Sequence, residues 1–157
     1  GVLYRGGAEQ KIRKYLIDNN YIDTIIQLPP DLFFGTGIAT CVVVLKKSKR
    51  DNNILFIDAS TEFVREGNKN KLSEENRKKI LDAFTKRNDI EYFTKLVNNK
   101  DIADNEYNIS VSSYVEQKNN KEVIDIKVLN KEIEEIVKRE NILRTEIDKI
   151  VKELEGE

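Results

Sequence analysis

Two adjacent phenylalanines, Phe33 and Phe34, lie in the stretch LPPDLFFGTGIATCVVVL at positions 28–45, and they are the first side chains in this chain that could act on a ligand. Pro29 and Pro30 each lack a backbone donor, so a strand ending at Leu28 cannot run on through them. Gly35 and Gly37 permit the positive φ needed where the chain turns back. The apolar, β-branched run that follows at 38–45 is too short for a typical helix and reads as a buried strand. The two rings therefore belong to a loop at the edge of a sheet, where binding residues concentrate. On composition alone, such rings more often fold onto the core.

Other chemistry is sparse. The chain has no histidine and one cysteine, Cys41, which removes internal disulfides, His/Cys zinc sites and histidine-based general-base catalysis. Cys41 sits within the apolar run and reads as a buried, inert thiol. Gly35-Thr36-Gly37 could cradle a phosphate, but two glycines after a Phe-Phe pair are more often a turn. Lys46, Lys47, Lys49 and Arg50 form a basic run that could touch DNA phosphates and is more often a solvated strand end. Asp58, at the end of an apolar strand, is a candidate site residue with no partner evident. The net charge of −1 with 35% charged residues leaves bulk electrostatics neutral on nucleic acid. No apolar run approaches the roughly 18 residues of a membrane span and no secretory leader pattern opens the chain, which with the single cysteine suits a cytoplasmic protein without membrane contact.

The elements that must position these residues follow in order. Gly1 to Tyr4 reads as the tail of a strand already under way, which with Gly rather than Met at position 1 suggests a piece of a longer protein. Residues 8–19 read as a helix burying Ile12, Tyr15 and Leu16, with Lys11, Arg13, Lys14 and Asp18 off that face. Strands are expected at 21–28 and 54–57, and the ten-residue connection between the second and third strands suits an antiparallel pair. Residues 62–71 read as an exposed loop. Ser73 is an N-cap for a helix running to about Arg87, with Ile80, Leu81 and Phe84 buried. From 89 to 115 the pattern suggests a short helix and irregular chain, and QKNNK at 117–121 a linker. Leu129, Ile133, Ile136, Leu143, Ile147, Ile150 and Leu154 then recur in alternating steps of four and three, interrupted only by Glu140. Nothing in the chain is long enough to cover such a stripe, so it implies a partner helix, with Glu140 setting register or partner choice.

GVLYRGGAEQKIRKYLI, LPPDLFFGTGIATCVVVLKK, ILFIDAS and the EYNIS…YV segment, closed by a charged helix, resemble in order the C-terminal part of the M (modification) subunit of type I restriction-modification systems. These are adenine-specific DNA methyltransferases that use S-adenosylmethionine. One departure is Ala39, where the family commonly carries proline. The resemblance implies an α/β fold: the last strands of a Rossmann-like methyltransferase sheet, then a helical region ending in a long coiled-coil-like helix. It divides the chain into 1–60 (sheet strands and helix), 61–121 (an extension packed on them) and 122–157 (an assembly helix).

It also implies roles. Phe33, with Phe34 as the less favoured choice, would contact a target adenine extruded from the duplex, and the C-terminal helix would pack on the S (specificity) subunit. DNA, a second M subunit and the restriction (R) subunit are the further partners. The family's cofactor loop and Asn-Pro-Pro-aromatic motif have no counterpart here, since Pro29-Pro30 follows Leu28. No catalytic residue or metal ligand is therefore expected in this chain, which should not methylate by itself, S-adenosylmethionine being held mainly by upstream residues. A different class of function is a non-catalytic assembly module working only through its C-terminal helix.

Overall fold

The computed structural model describes residues 1–118 and 126–156. The domain boundary expected at 121/122 and residues 119–121 of the expected linker lie outside the described residues, as does the side chain of Leu129. Residues 1–118 form one compact unit, and the C-terminal helix belongs to a second.

In the first unit, helix α1 (Ala8–Asp18) precedes strand β1 (Ile22–Gln27), followed by β2 (Cys41–Leu45), β3 (Asn53–Asp58), the short strands β4 (Val64–Glu66) and β5 (Lys69–Lys71), helix α2 (Glu74–Lys86), β6 (Thr94–Asn98) and helix α3 (Asn99–Asp104). Four strands make one sheet in the order β2-β1-β3-β6. β1 and β3 are parallel, with Gln27 beside Asp58, whereas β2 runs antiparallel to β1 and β6 antiparallel to β3. The antiparallel addition of β2 is the arrangement its short connection requires.

The central strands are apolar on both faces, and each face carries its own core. Ile54 and Phe56 pack with Ile17, Ile25, Ile102 and Val111 on one side, while Leu55 and Ile57 meet Ala83 and Phe93 on the other. This period-2 alternation divides a continuous hydrophobic run between two helical layers. α2 begins at a reciprocal cap: the Ser73 hydroxyl accepts from the Asn76 amide at 3.1 Å, and the Ser73 amide donates to Asn76 Oδ1 at 3.0 Å. Its far end, Arg87, adopts a left-handed conformation (φ 49°) and donates to Asp23 Oδ2 of β1 at 2.9 Å.

Several expectations are corrected. Residues 1–4 form a turn, closed by the Arg5 and Tyr4 amides on the Gly1 carbonyl, not a strand. On α1, Ile12 and Tyr15 are exposed, and the buried residues are Ile17 and Arg13. The Arg13 guanidinium is drawn inward because it donates to the carbonyls of Tyr107 at 2.8 Å and Val2 at 2.7 Å. On α2, Leu81 is exposed and Ala83 occupies the tight contact. The loop expected at 62–71 contains the β4–β5 hairpin, and the irregular stretch after 89 contains β6. β2 starts at Cys41, not at 38, and is an exposed edge strand whose valines and Leu45 meet solvent. Cys41 is accordingly only half-buried, with burial pushing its thiol pKa upward.

The second unit is helix α4 (Ile126–Glu155), 30 residues long, or about 45 Å. Ile133, Ile136, Leu143, Ile147, Ile150 and Leu154 are all exposed on it, joined by Val137 and Val151. No helix among the described residues is long and apolar enough to cross a membrane.

Candidate nucleic-acid interface

The connection from β1 to β2 and the connection carrying the β4–β5 hairpin leave the sheet at the same edge, the carboxyl ends of the parallel strands β1 and β3. This is where open α/β sheets place ligand sites. The two connections are tied together. Buried Asn70 of β5 donates from its amide to the Asp31 carbonyl at 3.1 Å and from Nδ2 to the Pro30 carbonyl at 2.8 Å. Arg65 of β4 donates to Asn70 Oδ1 at 3.0 Å and lies 3.6 Å from the Asp31 carboxylate. Lys69 Nζ donates to the Phe33 carbonyl at 3.0 Å.

Within the loop, the Thr36 hydroxyl accepts from the Ile38 amide at 3.2 Å, and Leu28 closes the base by donating to the Thr40 carbonyl at 2.9 Å. Gly35 has φ 77°, the geometry that glycine supplies without strain, and a Cβ on Gly37 would lie 3.1 Å from Asp31 Oδ1. Both glycines thus serve the turn.

The backbone is fixed while the rings are not covered. Phe33 is 50% exposed and Phe34 97% exposed. The Lys69 ammonium stands 4.9 Å from the centre of the Phe34 ring.

The basic run is elsewhere. β2 leads from Cys41, opposite Gln27, to Leu45, opposite Ile22, so Lys46 to Arg50 begin at the other end of the strand, about 13 Å from the loop's base. Lys46, Lys47 and Arg50 are exposed there. Lys49 donates to the Ile22 carbonyl at 2.8 Å, and its desolvation lowers its pKa, so it is committed to the fold. Asp58 is also structural: it is buried and its Oδ1 accepts the Ser60 amide at 3.0 Å. Among the described residues, no three His, Cys, Asp or Glu side chains converge as a metal site would require.

The structure thus gathers Phe33 and Phe34 with Lys69, Asn70 and Arg65, and separates them from Lys46 and its neighbours. The hairpin residues carry no motif of their own. Only the adjacency of Arg65, Gly67 and Lys69 in a polar turn hinted at them.

A sequence profile of the family described as N-6 DNA methylase matches residues 1–123. The chain is 46% identical over 155 residues to the type I restriction enzyme MpnII methylase subunit of Mycoplasma pneumoniae, covering 98% of this chain and 28% of that protein. It is 39% identical over 162 residues to the MjaVII methylase subunit of Methanocaldococcus jannaschii, covering 99% and 28%. The crystal structure of a type I restriction-modification methyltransferase subunit from Streptococcus thermophilus superposes with a TM-score of 0.73 at 42% identity, over 75% of this chain and 25% of that one. The EcoKI M protein shares the fold at a TM-score of 0.58 and 16% identity, over 91% and 38%. The chain therefore spans under a third of the length of these curated relatives. With this match over most of its length, the chain belongs to the N-6 DNA methylase family, and within it to the modification subunits of type I restriction-modification systems.

Proposed function

We propose that this chain supplies the target-base-facing loop and the specificity-subunit contact of an adenine-specific type I DNA methyltransferase. The observation that carries this reading is a loop whose backbone is anchored by Asn70, Lys69 and Thr40 while Phe33 and Phe34 stay in solvent. Rings that merely filled a core would be covered. An enzyme acting on a duplex base extrudes it and holds it by stacking, worth roughly 1–3 kcal/mol per base. Phe33, half-covered and hence limited in the positions its ring can take, suits that contact better than the fully exposed Phe34.

In this reading residues 1–60 contribute the closing strands of a Rossmann-like sheet, 61–121 an extension that braces the loop, and 122–157 the assembly helix. The exposed stripe of α4 packs on helices of the S subunit in an assembly with a second M subunit, DNA and, during restriction, the R subunit. Lys46, Lys47 and Arg50 offer a separate phosphate contact at the far end of β2.

Family membership implies S-adenosylmethionine as the methyl donor, but the residues of this chain do not fit as its holder. A cavity of about 600 Å³ lies against α2 and is bordered by Lys78, Lys79, Lys86, Glu62 and Asp82, with no glycine-rich turn among its lining residues. Asp58 is taken up by its own turn.

Replacing Phe33 by Ala in the complete enzyme should slow methylation and weaken the fluorescence rise of a base analogue at the target position. Unchanged turnover and signal would remove Phe33 from this role. The exposure of the α4 stripe favours the assembly-module alternative equally. That alternative wins if methylation is insensitive to every substitution in residues 28–45 while α4 variants abolish assembly.

A further inference from the structure

Three cations decorate the hairpin that braces the aromatic loop. Two are engaged with carboxylates: Arg65 with Asp31 at 3.6 Å, and Lys71 with Glu66 at 2.8 Å. Lys69 has no carboxylate partner within salt-bridge distance among the described residues. One of its three N–H donors goes to the Phe33 carbonyl at 3.0 Å, and its ammonium stands 4.9 Å from the Phe34 ring centre. A cation left uncompensated beside the Phe34 ring and the Phe33 carbonyl is placed to meet the backbone of a nucleic acid whose base reaches this loop. Duplex DNA carries a phosphate on either side of every base, and an extruded nucleotide keeps both.

We propose that Lys69 binds the DNA phosphate adjoining the nucleotide whose base meets Phe33. The ammonium ties the loop through the Phe33 carbonyl and directs its remaining donors to a phosphate oxygen, so one side chain couples ring position to backbone position. Lysine suits this double task because its three donors point in different directions from a single charge. The cation–π contact with Phe34 holds the ammonium at the loop before DNA arrives. This inference rests on the base-contact reading of the loop and extends it to a residue outside the loop, on a separate element.

The test uses the complete methyltransferase assembled with its specificity subunit and a duplex carrying 2-aminopurine at the target. Each phosphate contact contributes about 0.9 to the slope of log affinity against log salt. Lys69→Gln should flatten that slope by about one, so that between about 50 and 200 mM salt the variant loses roughly three- to fourfold less affinity than the parent. Lys69→Arg should keep the slope. A Lys69→Gln slope equal to the parent's overturns the proposal: with a reduced 2-aminopurine signal Lys69 is a loop anchor only, and with an unchanged signal it has no role at the site. If Phe33→Ala leaves the 2-aminopurine signal intact while Lys69→Gln flattens the slope, the base-contact reading fails, and the placement of the phosphate beside a Phe33-bound nucleotide is overturned with it, leaving only a Lys69–phosphate contact.

Discussion

Asn70 holds the aromatic loop through two donors, its backbone amide to the Asp31 carbonyl and its Nδ2 to the Pro30 carbonyl, while its Oδ1 accepts from Arg65 of the same hairpin. It is 5% exposed, so water cannot replace these partners without opening the hairpin. Asn70→Ala should cost about 1–3 kcal/mol, chiefly through the Pro30 carbonyl left without its donor. Thermal unfolding of the chain measures that cost, and faster amide exchange confined to residues 31–40 would locate it. Arg13 is the matching case on the other side of the molecule, joining α1 to the Tyr107 and Val2 carbonyls. Arg13→Met keeps the stem's packing but strands both acceptors, and should destabilise by a comparable amount; an unchanged midpoint in urea would show that water takes the guanidinium's place. Neither residue was legible in the sequence as structural. An arginine beside three other charged positions patterns as solvent-facing, and an asparagine between two lysines patterns as turn, because what buries them is a carbonyl about 94 residues away for Arg13 and 40 for Asn70. The loop that carries the aromatic pair was legible, since two prolines before the rings and two glycines after them constrain the backbone locally.

Elements whose signals are local and apolar read correctly: β1, β3 and α2 announce themselves through β-branched runs or a cap, and Ser73 with Asn76 closes as a capping box. The β4–β5 hairpin and β6 do not, because KNK is a polar strand of three residues and TKLVN takes its pairing from β3, distant in sequence. α4 is the opposite case, legible as a helix but not in its full width. Val137 and Val151 lie beside the a/d stripe, giving an apolar face wider than a two-helix seam and suited to a bundle. Charged substitutions at Ile136 and Ile147 should therefore abolish co-purification with the specificity subunit while leaving the melting of residues 1–118 unchanged. Glu140 is the polar break in that face. In a parallel, in-register pairing of two α4 helices it would oppose its own copy, a like-charge contact at a core position, so Glu140→Leu should strengthen self-association of the chain and weaken discrimination between partners. Sedimentation of the two forms at matched concentrations decides it: equal association would mean Glu140 has no part in partner choice.

At the scale of the whole molecule, the sheet is finished on one side and open on the other. Beyond β3 it ends in β6, whose Asp89-capped turn and following helix α3 give it neighbours. At the opposite edge β2 has no second partner strand among the described residues, yet its sequence, CVVVL, is apolar on both faces. Val43 lies across from Ile25 and Val42 across from Ile26, residues that face different cores, so neither valine is on a polar side of the sheet. Their exposures of 39% and 43% leave an apolar edge with unpaired backbone groups, the kind of edge that can template a further strand. The sequence signalled a buried strand where the structure shows an exposed one because composition records how apolar a strand is, not whether a neighbour covers it. An open apolar edge pairs with other copies, so the chain alone should associate in proportion to its concentration. A lysine at Val43, placing charge on that edge, should suppress the association while shifting the chain's melting temperature little, since the valine is already well exposed. If the edge is covered in a full-length relative, the same substitution should instead lower the melting temperature markedly, because an unpaired ammonium would then be buried. Light scattering of the chain and calorimetry of the longer protein measure the two arms, and a full-length protein indifferent to Val43→Lys would mean the edge stays open in the complete enzyme.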